Sequence, residues 1–309
     1  MIEILKCPVC QSKNFSRFIQ TAAQMHSSKK QFNFDKCATC ALVFLNPRLN
    51  QEELMHYYNK YYLPYRGANA WGKYAPLVKR SQLKLDERRV NVVQKHHTIN
   101  KNTLIVDIGC GKPTFLKQCL QQLNCKVLGL DFSDEGWTNT NEIFSAINLK
   151  TGEVDNLPED LKADVVTMWH YLEHDYEPLK TLTEMRKRAN KNTTLIIEVP
   201  NFQSESRKKF GKHWSGWHTP RHISLFSPSN IQLILKKSGW HTKVLYTYGT
   251  LNPYLLYWMS KMEQKGIDWS KNMEGEFISF VKGMIAFIPQ NCNKQKRALG
   301  VMTAIAKAV

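Results

Sequence analysis

Through the middle third of the chain, apolar residues come in short unbroken runs rather than in alternation. Leu104-Ile105-Val106, Val127-Leu128-Gly129-Leu130, Val165-Val166-Thr167-Met168-Trp169 and Thr194-Leu195-Ile196-Ile197-Glu198-Val199 are these runs. Such runs, alternating with helical stretches, predict parallel strands buried on both faces. Between the first two lie the turn Asp107-Ile108-Gly109-Cys110-Gly111-Lys112-Pro113 and a helix-like segment, Thr114 to Leu120. The second run ends on Asp131. Strand, glycine turn, helix, strand, acid is the first half of a doubly wound nucleotide-binding sheet, an α/β fold with mostly parallel strands.

Helical periodicity dominates the flanks. Gln51 to Tyr62 carries Leu54, Tyr57, Tyr58, Tyr61 and Tyr62 on one broad face, with Asn50 placed to cap it. Pro64, Gly67 and Gly72 break the next part into loop, and Lys79 to His97 reads as a charged helix striped by Leu83, Val90 and Val93. Further helices are expected at Trp137–Ala146, Pro178–Ala189 and Pro228–Ser238, the last capped by Ser227. His241 to Tyr248 alternates like a sixth strand, and no run after Gly249 stands out as a seventh. Instead, Asn252–Met262 and Phe277–Ile288 are apolar helical segments; Lys282 interrupts the second, and Lys294, Lys296 and Arg297 follow. The pattern divides the chain into an N-terminal module (1–46), a helical lid or linker (47–100), the sheet domain (101–250, including a loop 202–226) and a helical C-terminal cap (251–309).

Charge and cysteines narrow the chemistry. A net charge of +17 suits an anionic partner: nucleic acid, a phosphorylated substrate or an acidic membrane surface. The first residues lack a signal-peptide shape, and no apolar run is long enough to cross a bilayer, so a cytoplasmic location is expected. The apolar C-terminal segments keep peripheral membrane contact open. Cys7-Pro8-Val9-Cys10 and Cys37-Ala38-Thr39-Cys40 form two C-x2-C knuckles, the spacing of a closed, structural four-cysteine zinc site. A segment this short has too little core to fold unaided, so the metal would stabilise it. Cys110, Cys119, Cys125 and Cys292 show no ligand spacing and are expected to pack.

The turn itself is D-x-G-x-G. Glycines let backbone approach a ligand, a helix N-terminus offers free N–H groups, and an acid closing the second strand can take ribose hydroxyls. Asp107, the two glycines and Asp131 resemble motifs I and II of class I S-adenosylmethionine-dependent methyltransferases. The resemblance implies that Gly109 and Gly111 line the methionine part of the cofactor, that Asp131 holds the ribose, and that Asp107 and Phe132 belong to the same cofactor site. Pro113 stands where that family usually has a third glycine. Thr151-Gly152-Glu153-Val154-Asp155-Asn156-Leu157-Pro158 resembles the family's G-D-x-x-x-L-P turn, which would put Glu153 and the Val154 N–H near the adenine. Tyr171-Leu172-Glu173-His174 resembles the "LEH" segment beside the methyl group, adding Trp169 at the strand end to the cofactor candidates. Pro200-Asn201 matches the P-N after the fifth strand.

Residues 202–226 are basic and aromatic, without a helical pattern, and form the candidate acceptor loop. Within it, Trp217 to Ser227 is similar to the H-E-H-x-S-y-F-S signature of zinc-containing sugar C-methyltransferases, which sets His222 on the catalytic histidine. Arg221 replaces the preceding acid there, and Pro220 the earlier histidine. A histidine of near-neutral pKa suits removal of a proton from the acceptor, so His222 is the first candidate base and His170 the second. Arg221 is the candidate clamp for an anionic acceptor. Quinone-type O-methyltransferases carry E-x-x-E-H at the "LEH" site. By that resemblance Glu173 and His174, with His170 in place of the first acid, are candidates for a second divalent ion. Three functions are therefore carried forward. The first is methyl transfer from S-adenosylmethionine to the oxygen or carbon of a small, lipophilic or glycosylated acceptor. The second is methylation of RNA with the zinc ribbon as recognition module. The third is a non-catalytic partner that keeps only the fold.

Overall fold

The computed structural model describes residues 1–138, 141–292 and 298–308. Its strands are β1 (Phe15–Ala22), β2 (Gln31–Cys37), β3 (Val43–Leu45), β4 (Leu104–Ile108), β5 (Lys126–Asp131), β6 (Asn148–Thr151), β7 (Ala163–Trp169), β8 (Ala189–Pro200), β9 (Ser224–Leu225), β10 (Trp240–Tyr246) and β11 (Val301–Ala308). The helices are α1 (Gln51–Met55), α2 (Leu63–Arg66), α3 (Ala75–His96), α4 (Thr114–Leu123), α5 (Asn141–Phe144), α6 (Pro178–Lys187), α7 (Glu205–Phe210), α8 (Pro228–Lys237), α9 (Pro253–Lys265), α10 (Phe277–Ala286) and α11 (Ile288–Cys292). They gather into two units. Met1–Gln82, Pro200–Asn230 and Thr247–Met302 form the ribbon unit, and Leu83–Val199, Ile231–Tyr246 and Thr303–Val309 form the sheet unit.

The sheet unit holds seven strands in the order β10-β11-β8-β7-β4-β5-β6. The pairs β4–β5, β5–β6, β4–β7 and β7–β8 are parallel, and β10–β11 is antiparallel. The mostly parallel sheet expected from the apolar runs is present. The seventh strand is β11, at the end of the chain and lodged between β8 and β10. Every residue of β11 but Lys307 is buried; its small residues give neither an alternating nor a long apolar signature, which is why the pattern did not mark it. Val90 and Val93 of α3, Phe115 and Leu116 of α4, and Ile105, Val165, Ile196 and Ile305 of the sheet close one core. Leu83 does not join them: it is half exposed, one turn ahead of the buried stripe Asp86, Val90, Val93. Of the helix expected over Trp137–Ala146, the described residues show a turn in which the Trp137 and Thr138 N–H groups bond the Asp134 carbonyl (3.0 and 2.9 Å) and α5, while residues 139 and 140 lie outside them.

The ribbon unit is built around a second sheet, β1-β2-β3-β9. Its last strand comes from the segment expected to be the acceptor loop: Val43 pairs with Leu225 and Phe44 with Ser224. That segment is also partly helical, since Ser204 caps α7 through a bond from the Arg207 N–H. The first tyrosine-rich helix stops early. Asn50 and Glu53 form the expected capping box, but α1 ends at Met55. Asn59 then bonds the His56 carbonyl (2.7 Å) and the Tyr61 N–H (3.0 Å), competing with the helix for its backbone groups. Pro64 starts α2 rather than loop, and a 3-10 stretch, Gly67–Tyr74, follows. Tyr62, Trp71, Tyr254, Trp258, Met262, Trp269 and Phe287 form the core of this unit, an aromatic cluster rather than an aliphatic one. The tyrosine face is thus a core face. Cys110, Cys119 and Cys125 pack as expected, whereas Cys292 is exposed. Lys294, Lys296 and Arg297 lie outside the described residues.

The charge is divided unevenly. The ribbon unit carries 24 lysines and arginines against nine acids, the sheet unit 19 against 17. Nearly all of the +17 therefore belongs to the ribbon unit.

Candidate active site

Strand order in the sheet unit reverses at β4: β5 and β6 lie on one side, β7 and β8 on the other. Crevices open at such switch points, at the carboxyl ends of the strands. Asp107 on β4 and Thr167 on β7 face each other there, and the threonine hydroxyl donates to Asp107 Oδ1 at 2.6 Å. Burial raises the Asp107 carboxyl to about 7, against the lowering effect of that hydrogen bond. Next in the chain, Gly109 has φ +75°, and a Cβ there would overlap the Tyr171 ring, so no other residue fits. The amides of Gly109 and Cys110 bond the Leu130 carbonyl (2.8 and 3.1 Å), and the Gly111 N–H bonds Asp131 Oδ2 (2.8 Å). Space above Gly111 is open. Helix α4 begins at Thr114, with Pro113 as its cap residue one position earlier than expected.

Around this loop the other cofactor candidates occupy the same edge. Asp131 is buried, which raises its carboxyl, while amides of Gly111, Ser133 and Phe132 hold it back. Its two oxygens accept one backbone N–H each, from Gly111 and Ser133, and a carboxylate has room for more. Phe132 is 56% exposed. The Glu153 N–H bonds Asn156 Oδ1 at 2.8 Å, turning the chain so that Val154 is buried and Glu153 exposed. Trp169, at the end of β7, packs edge-on against Phe115, and the Arg89 guanidinium lies 5.2 Å above its ring. Trp169 Nε1 and Arg89 Nε are buried and have no hydrogen-bond partner among the described residues.

Arg89, Asp86 and Thr114 are site residues that the motifs did not reveal. Asp86 accepts from the Thr114 hydroxyl at 2.6 Å and lies 3.4 Å from Arg89 Nη1. The available signal was an acid in register with Val90 and Val93 on the buried stripe of a charged helix; burial raises its carboxyl.

His170, next after Trp169, has φ +57°. Its Nδ1 lies 3.3 Å from Glu173 Oε1 and its Nε2 3.2 Å from Glu198 Oε1, both carboxylates being fully buried. Burial alone would lower this imidazole; the two carboxylates outweigh it and raise it to about 9. At neutral pH it is an imidazolium.

In the ribbon unit, everything from Trp214 to Ser227 is buried. Trp214 Nε1 bonds Ser206 Oγ (3.1 Å) and Trp217 Nε1 bonds the Gly211 carbonyl (2.9 Å). Arg221 is fully buried; its guanidinium donates to the carbonyls of Tyr57 and Gln24, each at 2.7 Å, and stacks 4.2 Å from the Tyr62 ring. His222 Nδ1 lies 2.8 Å from the Gly216 carbonyl, and its Nε2 is 3.1 Å from His218 Nδ1. A carbonyl only accepts, so His222 carries its proton on Nδ1 and Nε2 is its basic nitrogen. His218 is a partner the sequence did not single out.

At the other end of the ribbon unit, the sulfurs of Cys7, Cys10, Cys37 and Cys40 lie within 4.8 Å of one another. Both knuckles share one geometry: the residue after the second cysteine, Gln11 or Ala41, has positive φ and returns its N–H to the carbonyl of Cys7 or Cys37. Four converging thiols are the donor set of a tetrahedral zinc ribbon.

A seven-stranded, mostly parallel sheet whose switch point carries an acid, two glycines and a second acid defines the class I S-adenosylmethionine-dependent methyltransferases. Residues 80–243 match the model of the methyltransferase-domain family. That is more than half of the chain, and the protein belongs to this family of enzymes. Solved structures agree in fold. A protein provisionally assigned as a sarcosine dimethylglycine methyltransferase from Galdieria sulphuraria superposes with a TM-score of 0.51 at 13% identity, over 74% of this chain and 87% of that one. The [4+2]-cyclase SpnF gives 0.50 at 13% identity, over 72% and 80%. The mycolic acid cyclopropane synthase CmaA1, complexed with SAH and CTAB, gives 0.50 at 11% identity, over 71% and 82%. Among curated proteins, none matches the sequence.

Proposed function

We propose that the chain transfers the methyl group of S-adenosylmethionine to a small, lipophilic acceptor. The observation that carries this is the β4 edge, where the loop through Gly109 leaves open space above Gly111, between Asp107 and Asp131. When bound, the cofactor supplies a sulfonium methyl carbon open to in-line displacement. Asp131 would hold the ribose with Phe132 beside it, and Glu153 with the Val154 N–H would lie near the adenine. The unpaired N–H groups of Trp169 and Arg89 fit a ligand that brings acceptors of its own. Asp107 supports the loop through Thr167.

His170 cannot serve as base while it is charged; it holds Glu173 and Glu198 in place as the counter-ion between them. A proton leaving the acceptor is assigned to the His218–His222 pair, which shares one hydrogen bond between His218 Nδ1 and His222 Nε2. Arg221 positions this pair by tying Tyr57 and Gln24 to its loop, rather than clamping the acceptor. A small acceptor, including a lipid, is supported by two fold neighbours whose own names give a sarcosine dimethylglycine methyltransferase and a mycolic acid cyclopropane synthase. The four cysteines hold a structural zinc ion. A second divalent ion at Glu173 and His174 is the metal-dependent alternative, and turnover that survives chelation excludes it.

Incubating the purified protein with labelled S-adenosylmethionine and either a lipid extract or total RNA tests the proposal. Label in the lipid fraction, lost roughly a hundredfold in His222→Asn, is the expected result. Label in RNA alone would overturn the choice of acceptor.

A further inference from the structure

Helix α10 has two apolar faces. Phe277, Phe280, Met284 and, just past its end, Phe287 recur at helical spacing and pack into the aromatic core of the ribbon unit. Phe280 packs against Trp71, Trp258 and Tyr254, and Tyr74 stacks on Phe277 at 4.0 Å. Gly283 sets the approach, because a Cβ there would overlap the Tyr254 hydroxyl. The adjoining face is also apolar. Ile278, Val281 and Ile285 follow each other at the same spacing, and Ile288 opens α11 beyond them. Ile278, Ile285 and Ile288 are 50%, 59% and 53% exposed. A helix that needed only to complete its own core would carry polar residues on this side.

Charge says what covers it. Exposed Lys282 sits within the isoleucine stripe. From Phe277 to the last residue the chain contains no aspartate or glutamate. The unit that presents the helix carries almost the whole net charge of the protein. Glu274 and Glu276 precede the helix but no acid follows it, and an apolar stripe that includes a lysine, on a strongly basic body, is the pattern of an interfacial helix: the isoleucines enter the acyl boundary while Lys282 and the basic body meet anionic headgroups. A nucleic acid would use the charge but offers nothing to three exposed isoleucines. We infer that the outer face of α10 docks this protein onto an anionic lipid bilayer.

The test is co-sedimentation of the full chain with vesicles of phosphatidylcholine alone, or with about three-tenths phosphatidylglycerol. The expected result is binding to the anionic vesicles, roughly tenfold or more above the neutral ones, and weakened by salt. Ile278→Glu with Ile285→Glu should cut it roughly tenfold or more, since both insertion and charge are lost. Lys282→Glu should cut it less. Both variants change exposed side chains, and an unaltered melting temperature verifies that they fold. Equal binding to both vesicle types, or anionic binding untouched by the isoleucine variant, would overturn the inference. So would a dimer in solution that the isoleucine variant dissolves without vesicle binding by the parent, or retention on structured RNA with no vesicle binding.

Discussion

The two units of this protein differ in how they are made and in what they carry. The sheet unit takes most of its strands from one continuous stretch and is nearly neutral. Its core is mostly aliphatic, and Asp107, Gly109, Gly111 and Asp131 gather at one edge of the sheet. The ribbon unit is assembled from three distant stretches, holds the four-cysteine cluster and an aromatic core, and carries the charge. The difference teaches that the residues defining the family and the residues proposed for the acceptor lie mostly in separate parts of the chain. The family is defined over residues 80–243, mostly in the sheet unit, whereas Met1–Gln82 and 247–302 lie almost wholly outside that match.

Removing one ribbon ligand should break the contrast most severely. Cys37→Ser forfeits metal-linked stability on the order of 10 kcal/mol, comparable to the whole margin of a domain. The protein should become insoluble, and a normal soluble yield without bound zinc would contradict the structural role. Gly109→Ala strikes the other unit. The positive φ and the overlap with Tyr171 together cost about 2–4 kcal/mol, so cofactor binding should fall sharply while metal content, measured by elemental analysis, stays unchanged.

A smaller effect belongs to pH. His170 is raised from its ordinary 6.5 to about 9, so the folded state holds this proton more tightly than the unfolded one. The resulting stabilisation is complete below pH 6.5 and is lost as pH rises through about 9. Denaturant titrations across that window should show this decline in the parent protein and a flatter profile in His170→Gln. Smallest of all, Leu83→Ser should change stability by no more than about 0.5 kcal/mol, because the side chain is already half in water.

How far each unit was legible in the sequence follows from the same contrast. Strands β4, β5, β7 and β8 announce themselves as buried runs, and Asp107, Gly109, Gly111 and Asp131 fall at the strand ends where such runs must meet a ligand. Strand β11 does not, since Met302, Thr303, Ala304 and Ala306 look alike whether buried in a sheet or not. The 202–226 segment misled for a physical reason. Its basic and aromatic composition suits an exposed loop, yet Arg221 goes inside because two backbone carbonyls and the Tyr62 ring receive it. Lys208, Lys209 and Lys212 stay outside, Lys209 lying 4.7 Å over the Tyr257 ring. Composition cannot separate these fates, because the carbonyls come from Gln24 and Tyr57, far away in the chain. Likewise, Thr167 and Arg89 become site residues only when the switch point brings β7 and α3 to β4.

Calorimetric titration of S-adenosylmethionine into the full chain, beside Asp131→Ala, tests the donor site most directly. One binding site is predicted for the parent, weakened at least about tenfold in the variant by loss of the ribose contacts; the variant's melting temperature falls as the Gly111 and Ser133 N–H groups lose their acceptor, and its circular dichroism spectrum verifies that it is folded. No heat in the parent, or equal affinity in both proteins, would contradict it.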